Sequence, residues 1–227
     1  MHIYKHIIFG ILLLMVSAAG FSQDITTAET YFSSIGDNYA RIQDYRSQIV
    51  ISQEDTRLSG ILYYKHPSML RLDFSEPEEQ VLVSDGEKLY LYLPDYRVVM
   101  EQRLRQGDTA DVAGMASREG LEILQENYSV AYVTGPSPVP LEEDSQEMVV
   151  KLRLTWRTTE EGFRQIDIAI GENGLIRRIE GVTIDYRQVR FDLLNTQTNI
   201  DIPDNRFEYE LPSNANVFEN FLFELDE

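Results

Sequence analysis

One histidine, His66, stands beyond the first six residues of this chain, and cysteine is absent altogether. Between them these facts remove most reactive chemistry. One imidazole cannot make a multi-histidine zinc site. Without a thiol there is no thiolate nucleophile, cysteine-held metal or disulfide. A Ser-His-Asp triad would have to use His66, which sits between Lys65 and Pro67 in a turn context, and no G-x-S-x-G motif accompanies it. Carboxylates are plentiful, but Glu78-Glu79, Glu142-Glu143-Asp144 and Glu160-Glu161 fall in turn-like stretches where a solvated face is the ordinary reading. Nothing in their spacing sets two across a cleft as glycoside hydrolysis requires. Asp85-Gly86 reads most simply as a hairpin turn. The expectation is a protein that is not an enzyme, with no catalytic residue, no metal and no cofactor. His66 is then an exposed turn residue or a hydrogen-bonding one.

Binding remains, and its candidates are apolar. From Met69 to Phe74, Leu70, Leu72 and Phe74 share a face that excludes Arg71 and Asp73, so that face is expected to point inward. Two further runs, Val81-Leu82-Val83 and Leu89 to Leu93, are apolar on both faces, which adds Val83 and Leu91 as inward candidates. Something must cover the second face of those strands, and the only helical segments are the natural covers. A carboxylate placed at Leu72 is expected to point into an enclosed space and, if water reaches that space, to spare the fold.

Two segments have helical spacing. From Ile25 to Tyr45, apolar residues fall at Ile25, Ala28, Phe32, Ile35, Tyr39 and Ile42, three and four residues apart, with Gly36 weakening the run. A second stretch near Thr109 to Gln125 carries Val112, Met115, Leu121 and Leu124, and is made marginal by Gly114 and Gly120. The rest alternates with period two. Met148, Val150, Leu152, Leu154 and Trp156 oppose Val149, Lys151, Arg153 and Thr155, and Ile166, Ile168 and Ile170 form another such face. Val189, Phe191 and Leu193 follow the same rule, as do Phe207 and Tyr209 against Glu208 and Glu210. Asp85-Gly86, Pro94-Asp95 and Glu172-Asn173-Gly174 mark turns, and Gly135 to Ser145 reads as a solvent loop.

These runs predict one mostly β domain with a helical lid (α+β). It is an unclosed, strongly curved antiparallel barrel of about 10–11 strands, with 2–3 helices covering the concave side. Such a sheet encloses an apolar space. Phe32, Ile35 and Tyr39 from the first helix and Leu152 and Leu154 from the second half are expected to line it with Leu70, Leu72 and Phe74.

The first residues point to export. Lys5 and His6 precede an apolar run from Ile7 to Val16 and then small residues, the parts of a signal peptide over 1–22, cleaved after Ser22 or, second, after Ala19. That run is too short to span a bilayer. The mature domain is expected over 23–227, in the periplasm. With no cysteine to lipidate at the cleavage site, it is expected not to be membrane-anchored. Removing the segment takes away one lysine and no acid, moving the net charge from −18 to −19. That charge disfavours nucleic acid and anionic lipid. A monomer is expected.

The stretch from Tyr64 to Pro94 is specific: YKHPSMLRLDFSEPEEQVLVSDGEKLYLYLP. It resembles the LolA family, periplasmic carriers of outer-membrane lipoproteins. The likeness rests on Pro67, Pro77 and Pro94 at the family's spacing and on Leu82-Val83-Ser84-Asp85-Gly86. It continues at the hairpin Gly171-Glu172-Asn173-Gly174, at Phe207 to Pro212 and at Asn216-Val217. The resemblance implies an unclosed barrel with a helical lid and a cavity for acyl chains. It implies shuttling of lipid-modified proteins from an inner-membrane LolCDE-like ABC transporter to an outer-membrane acceptor. His66 stands where the best-known carriers have an arginine thought to hold the lid shut, which makes it a lid-latch candidate. Where tryptophan is frequent in the family, this chain has Leu72 and Tyr90. Two alternatives stay open: a sensor or regulator on the same fold, and a carrier of another lipid or hydrophobic ligand. A regulator often carries a second domain, for which this length leaves no room.

Overall fold

The computed structural model describes residues 26–104, 116–159 and 161–219. The expected signal peptide lies outside them, as do Ile25, Val112, Gly114 and Met115.

The first helix, α1 (Ala28–Tyr39), begins where the Thr27 hydroxyl accepts a hydrogen bond from the Thr30 N–H at 3.2 Å. It buries Ala28, Phe32, Ile35 and Tyr39. It stops short of the predicted end at Tyr45. Ile42 keeps the apolar spacing and is buried, but from a turn, and from Asp44 onward the chain is a strand. A second helix, α2 (Arg118–Asn127), is capped by Ser117, whose hydroxyl accepts from the Gly120 N–H at 3.1 Å. Leu121 and Leu124 are its buried leucines.

Thirteen strands follow in chain order: β1 (Asp44–Gln53), β2 (Thr56–Lys65), β3 (Met69–Glu76), β4 (Val81–Ser84), β5 (Lys88–Leu93), β6 (Val98–Arg103), β7 (Tyr128–Tyr132), β8 (Val139–Pro140), β9 (Met148–Trp156), β10 (Phe163–Gly171), β11 (Ile176–Thr183), β12 (Gln188–Thr198) and β13 (Asn216–Glu219). They form one sheet in the order β13-β6-β5-β4-β3-β2-β1-β12-β11-β10-β9-β7, with β8 added on β9. The surplus over the predicted count comes from short strands such as β8 and β13. β13 lies parallel to β6, and every other pair is antiparallel. The terminal strands β13 and β7 do not pair with each other, so the barrel stays open. Two up-and-down runs, β1 to β6 and β7 to β12, meet along a single seam, β1 against β12.

Bulges between Arg46 and Gln48, at Ser59/Gly60 and at two places on β10 bend the sheet. At Gly60 the strands come so close that a Cβ would collide with the Asp73 carbonyl oxygen. Only glycine fits there. The turns at Gly86 (φ +97°) and Gly174 (φ +72°) adopt the left-handed backbone that their Asp-Gly and Asn-Gly sequences suggest.

Both helices pack on the concave face. There Phe32, Ile35, Tyr39, Leu121 and Leu124 join Leu70, Leu72, Leu152, Leu154, Ile168, Ile179 and Leu193 in one core. The C-terminus of α1 and the N-terminus of α2 lie at the end of the sheet that carries the turns 66–68 and 172–174, here called the helix end, from which α2 runs toward the start of β7. The turns 54–55, 94–97, 157–162 and 184–187 mark the far end.

The convex face corrects two expectations. The second face of β3 to β5 is covered by the C-terminal segment and not by the helices. Residues 204–207 form a 3-10 turn, where a strand was predicted, and Phe207 is buried. Arg71 Nη1 donates to the carbonyls of Arg206 and Glu208, both at 3.3 Å, and the Tyr209 ring lies 5.7 Å from that of Tyr90. The 135–145 loop is likewise not simply solvated. Leu141 descends from it onto Val149 and Ala169, so Val149, expected to face water, is buried in a small second core.

Candidate functional site

The site is the concave face and the two helices that stop it. Phe32, Ile35, Tyr39, Leu70, Leu72, Leu152 and Leu154 all belong to the main core, and Phe74 packs against it half-buried. Leu91 pairs with Leu82, which also packs there, so it shares that face. Val83 does not. Its register partners are Arg71 and Tyr90, which turn it to the convex side beneath the C-terminal segment. The apolar character of β4 on both faces concealed that choice.

Among the described residues the concave face is filled by its own side chains. Leu152 and Leu154 have no exposed surface and Phe32 is 1% exposed. Between the helices lies a shallow cleft of about 260 Å³, bordered by Gly36, Asp37, Arg118, Leu121 and Glu122. A Cβ added at Gly36 would meet nothing within 4 Å. Gly36→Ala is therefore expected to stabilise the protein by about 1 kcal/mol, a rise in Tm of about 2–4 °C readable by calorimetry.

α1 is held at both ends. The Asn38 Nδ2 donates to the Gly174 carbonyl at 3.1 Å, the Tyr39 hydroxyl accepts from the Ile176 N–H at 3.0 Å, and the Tyr132 hydroxyl donates to the Thr26 and Thr27 carbonyls. α2 is tied at its C-terminal end by the Arg157 N–H, which donates to the Asn127 carbonyl at 3.0 Å, and at its first turn through Glu119. The His66 Nδ1 lies 3.5 Å from Glu119 Oε1, and the Tyr64 hydroxyl lies 3.5 Å from Oε2 while donating to the Pro67 carbonyl at 3.1 Å. The latch candidate thus stands beside the helix it was expected to hold. His66 and Glu119 are both about two-fifths exposed, so the tie is light.

Three tyrosines sit beneath this corner. Tyr39, Tyr45 and Tyr64 are buried, and the rings of Tyr45 and Tyr64 stack at 5.2 Å. Burial pushes all three phenols well above their ordinary range. The charge on Glu119 adds to the rise at Tyr64, and the neighbouring tyrosines add to that at Tyr45. Neither Glu119 nor the tyrosine group was singled out from sequence. Glu119 carries a weak signal as an acid behind a capping serine, but its pairing with His66 spans far-apart segments.

The described residues contain no group of three or more His, Cys, Asp or Glu side chains able to hold a metal, and no described helix is long and apolar enough to cross a membrane.

An open, curved sheet whose apolar hollow is stopped by two helices defines a half-barrel with a helical plug. Solved structures of the same build include a conserved protein of Thermus thermophilus (TM-score 0.54, 12% identity, covering 82% of this chain and 98% of that one). MucB is another (TM-score 0.53, 13% identity, 84% of this chain and 64% of that one), and it has been solved in complex with MucA from Pseudomonas aeruginosa. These likenesses show the fold. Residues 44–210 match the family described as outer membrane lipoprotein carrier protein LolA, and the chain belongs to that family. The outer-membrane lipoprotein carrier protein of Bordetella avium is 30% identical over 159 residues, 70% of each chain. That of Methylococcus capsulatus is 24% identical over 203 residues, 88% of this chain and 91% of its own.

Proposed function

We propose that this protein is a periplasmic carrier that takes the acyl chains of lipid-modified proteins onto its concave face. It would receive them from an inner-membrane LolCDE-like ABC transporter and pass them to an outer-membrane acceptor. The observation that carries the reading is an apolar hollow closed by α1 and α2, with the first turn of α2 held by the exposed Glu119–His66 contact and by Tyr64. Magnitudes favour such a closed resting state. Burying one chain of about fifteen carbons is worth roughly 12 kcal/mol at about 0.8 kcal/mol per CH₂. Three chains would exceed the practical ceiling of about 18–21 kcal/mol for noncovalent binding. A carrier that must release its cargo needs an opposing term, and separating the helices from the sheet supplies one.

The test is displacement of a fluorescent acyl probe from the mature protein. A lipidated peptide is expected to displace it and its unlipidated twin is not, with a chelator making no difference. Glu119→Gln and His66→Ala should each cost less than about 1 kcal/mol of stability and raise acyl affinity by loosening the plug. Equal displacement by both peptides sinks the carrier reading, and unchanged affinity in both variants removes the latch. A second reading is a regulator reporting a bound lipid to a protein partner; MucB, of the same build, has been solved in complex with MucA. Transfer of a lipidated peptide to acceptor vesicles would separate the two, since a regulator need not release its ligand.

A further inference from the structure

The buried polar side chains of the described residues gather at one end. Ser47, Ser84, Gln102 and Ser117 lie toward the helix end on the concave side, as do the hydroxyls of Tyr39, Tyr45 and Tyr64, while Asp44 lies at that end on the convex side, opposite Lys65. Toward the far end the same concave face carries half-buried apolar groups: Ile51, Phe74, Trp156, Phe163 and Phe191. The hollow therefore runs from polar to apolar along its strands. Most of the polar groups have a structural partner. Asp44 accepts from the N–H groups of Ile200 and Ile202, the Ser47 hydroxyl bonds Leu194 and Thr196, and Ser117 caps α2.

Tyr45 is different. Tyr45 is 2% exposed, and its hydroxyl is buried with no hydrogen-bond partner among the described residues. It pairs with Tyr64 on β2 and, like Tyr64, turns to the concave face and its core. A buried hydroxyl left unbonded is a standing cost to the closed state, and it is removed when a group of the right polarity arrives.

Building on the carrier reading, we propose that the Tyr45 hydroxyl donates a hydrogen bond to the ester carbonyl of a bound acyl chain. That bond fixes the direction of binding, with the ester at the helix end and the hydrocarbon running toward Phe74 and Phe191. An ester suits the place better than a free carboxylate. An anionic head would meet Glu119 at this end, whereas a neutral carbonyl offers an acceptor without a charge to desolvate. Binding and opening are then linked, because the group orphaned in the closed state is satisfied in the loaded one.

The experiment compares 1,2-dipalmitoylglycerol with its dihexadecyl ether analogue as displacers of a fluorescent acyl probe, in the natural protein and in Tyr45→Phe. The natural protein is expected to prefer the ester by about fivefold. Tyr45→Phe should lose that preference, keep its affinity for the ether, and show an unliganded Tm higher by about 2–4 °C. Tyr39→Phe is the control. Its hydroxyl is engaged by Ile176, so it should lose stability and keep the ester preference. A natural protein without ester preference, a Tyr45→Phe variant that retains it, or a Tm that falls in that variant would each overturn the proposal. Binding of neither lipid would overturn the carrier reading itself, and this inference with it.

Discussion

Leu72→Glu is expected to unfold the protein at neutral pH. Leu72 is 4% exposed and packed in the main core, pairing with Leu62 on one side and Leu82 on the other. Removing its apolar contacts costs about 2–5 kcal/mol on the scale of core truncations. Burying an unpaired carboxylate adds several more, because the neighbours are leucines and supply no hydrogen bonds. The sum reaches the whole stability of an ordinary domain, about 5–15 kcal/mol. This reverses the expectation from strand parity alone, which allowed water to reach the side chain. The pH dependence carries a sign. A buried carboxyl has its folded pKa raised above the unfolded value, so the variant is least harmed near pH 4 and loses stability as pH rises past it. Urea melts at about pH 4 and pH 7 read the effect, with Leu72→Met as the volume-conserving control at less than about 1.5 kcal/mol. A Leu72→Glu protein that melts normally at pH 7 would mean that the resting hollow already holds water.

Alkaline conditions should unfold the natural protein steeply. Tyr39, Tyr45 and Tyr64 have phenols raised by burial, so the native state holds their protons where the unfolded chain, titrating near 10, begins to lose them. Their contribution is full below about pH 10 and is lost above it, each by up to about 1.4 kcal/mol per pH unit. Three together make a slope of about 4 kcal/mol per unit. Tyrosinate absorbance and circular dichroism followed from about pH 9 upward should show these phenols ionising together with the loss of structure. Ionisation of all tyrosines before any structural change would show that solvent reaches this corner in the native state. Tyr31, Tyr90, Tyr132 and Tyr209 are also raised, but they are more exposed and should titrate without unfolding the chain.

Alternation and turn chemistry carried most of the fold. Ile166, Ile168 and Ile170 read as an inward face and are one, and Asp85-Gly86 and Asn173-Gly174 turn where they should. What failed shares a cause: a one-dimensional pattern reports that a face is buried, not what buries it. Val83 was apolar on a strand apolar on both sides, and only the pairing with Arg71 and Tyr90 decides its direction. Phe207 and Tyr209 alternate with acids as a strand would, yet they belong to a strap whose backbone carbonyls bond to Arg71. Ile42 kept helical spacing from a turn, which carried the predicted helix too far. At the site, His66 was legible through its motif, while Glu119 and the orphaned hydroxyl of Tyr45 depend on contacts between distant segments.

The single seam between β1 and β12 bears on how such a chain can assemble. Nearly every other neighbour within the two up-and-down runs is close in sequence, so each run can zip hairpin by hairpin as it is made. The seam joins residues 45–53 to 189–198 and must wait for nearly the whole chain. Closing a loop of that length costs only logarithmically more than closing a short one, so the delay is one of timing more than of free energy. Until β12 arrives, β1 is a bare edge carrying Ile49 and Ile51, able to pair with any strand nearby. During synthesis the molecule therefore has one moment of greatest vulnerability to aggregation, and its location is the same strand that later carries Tyr45.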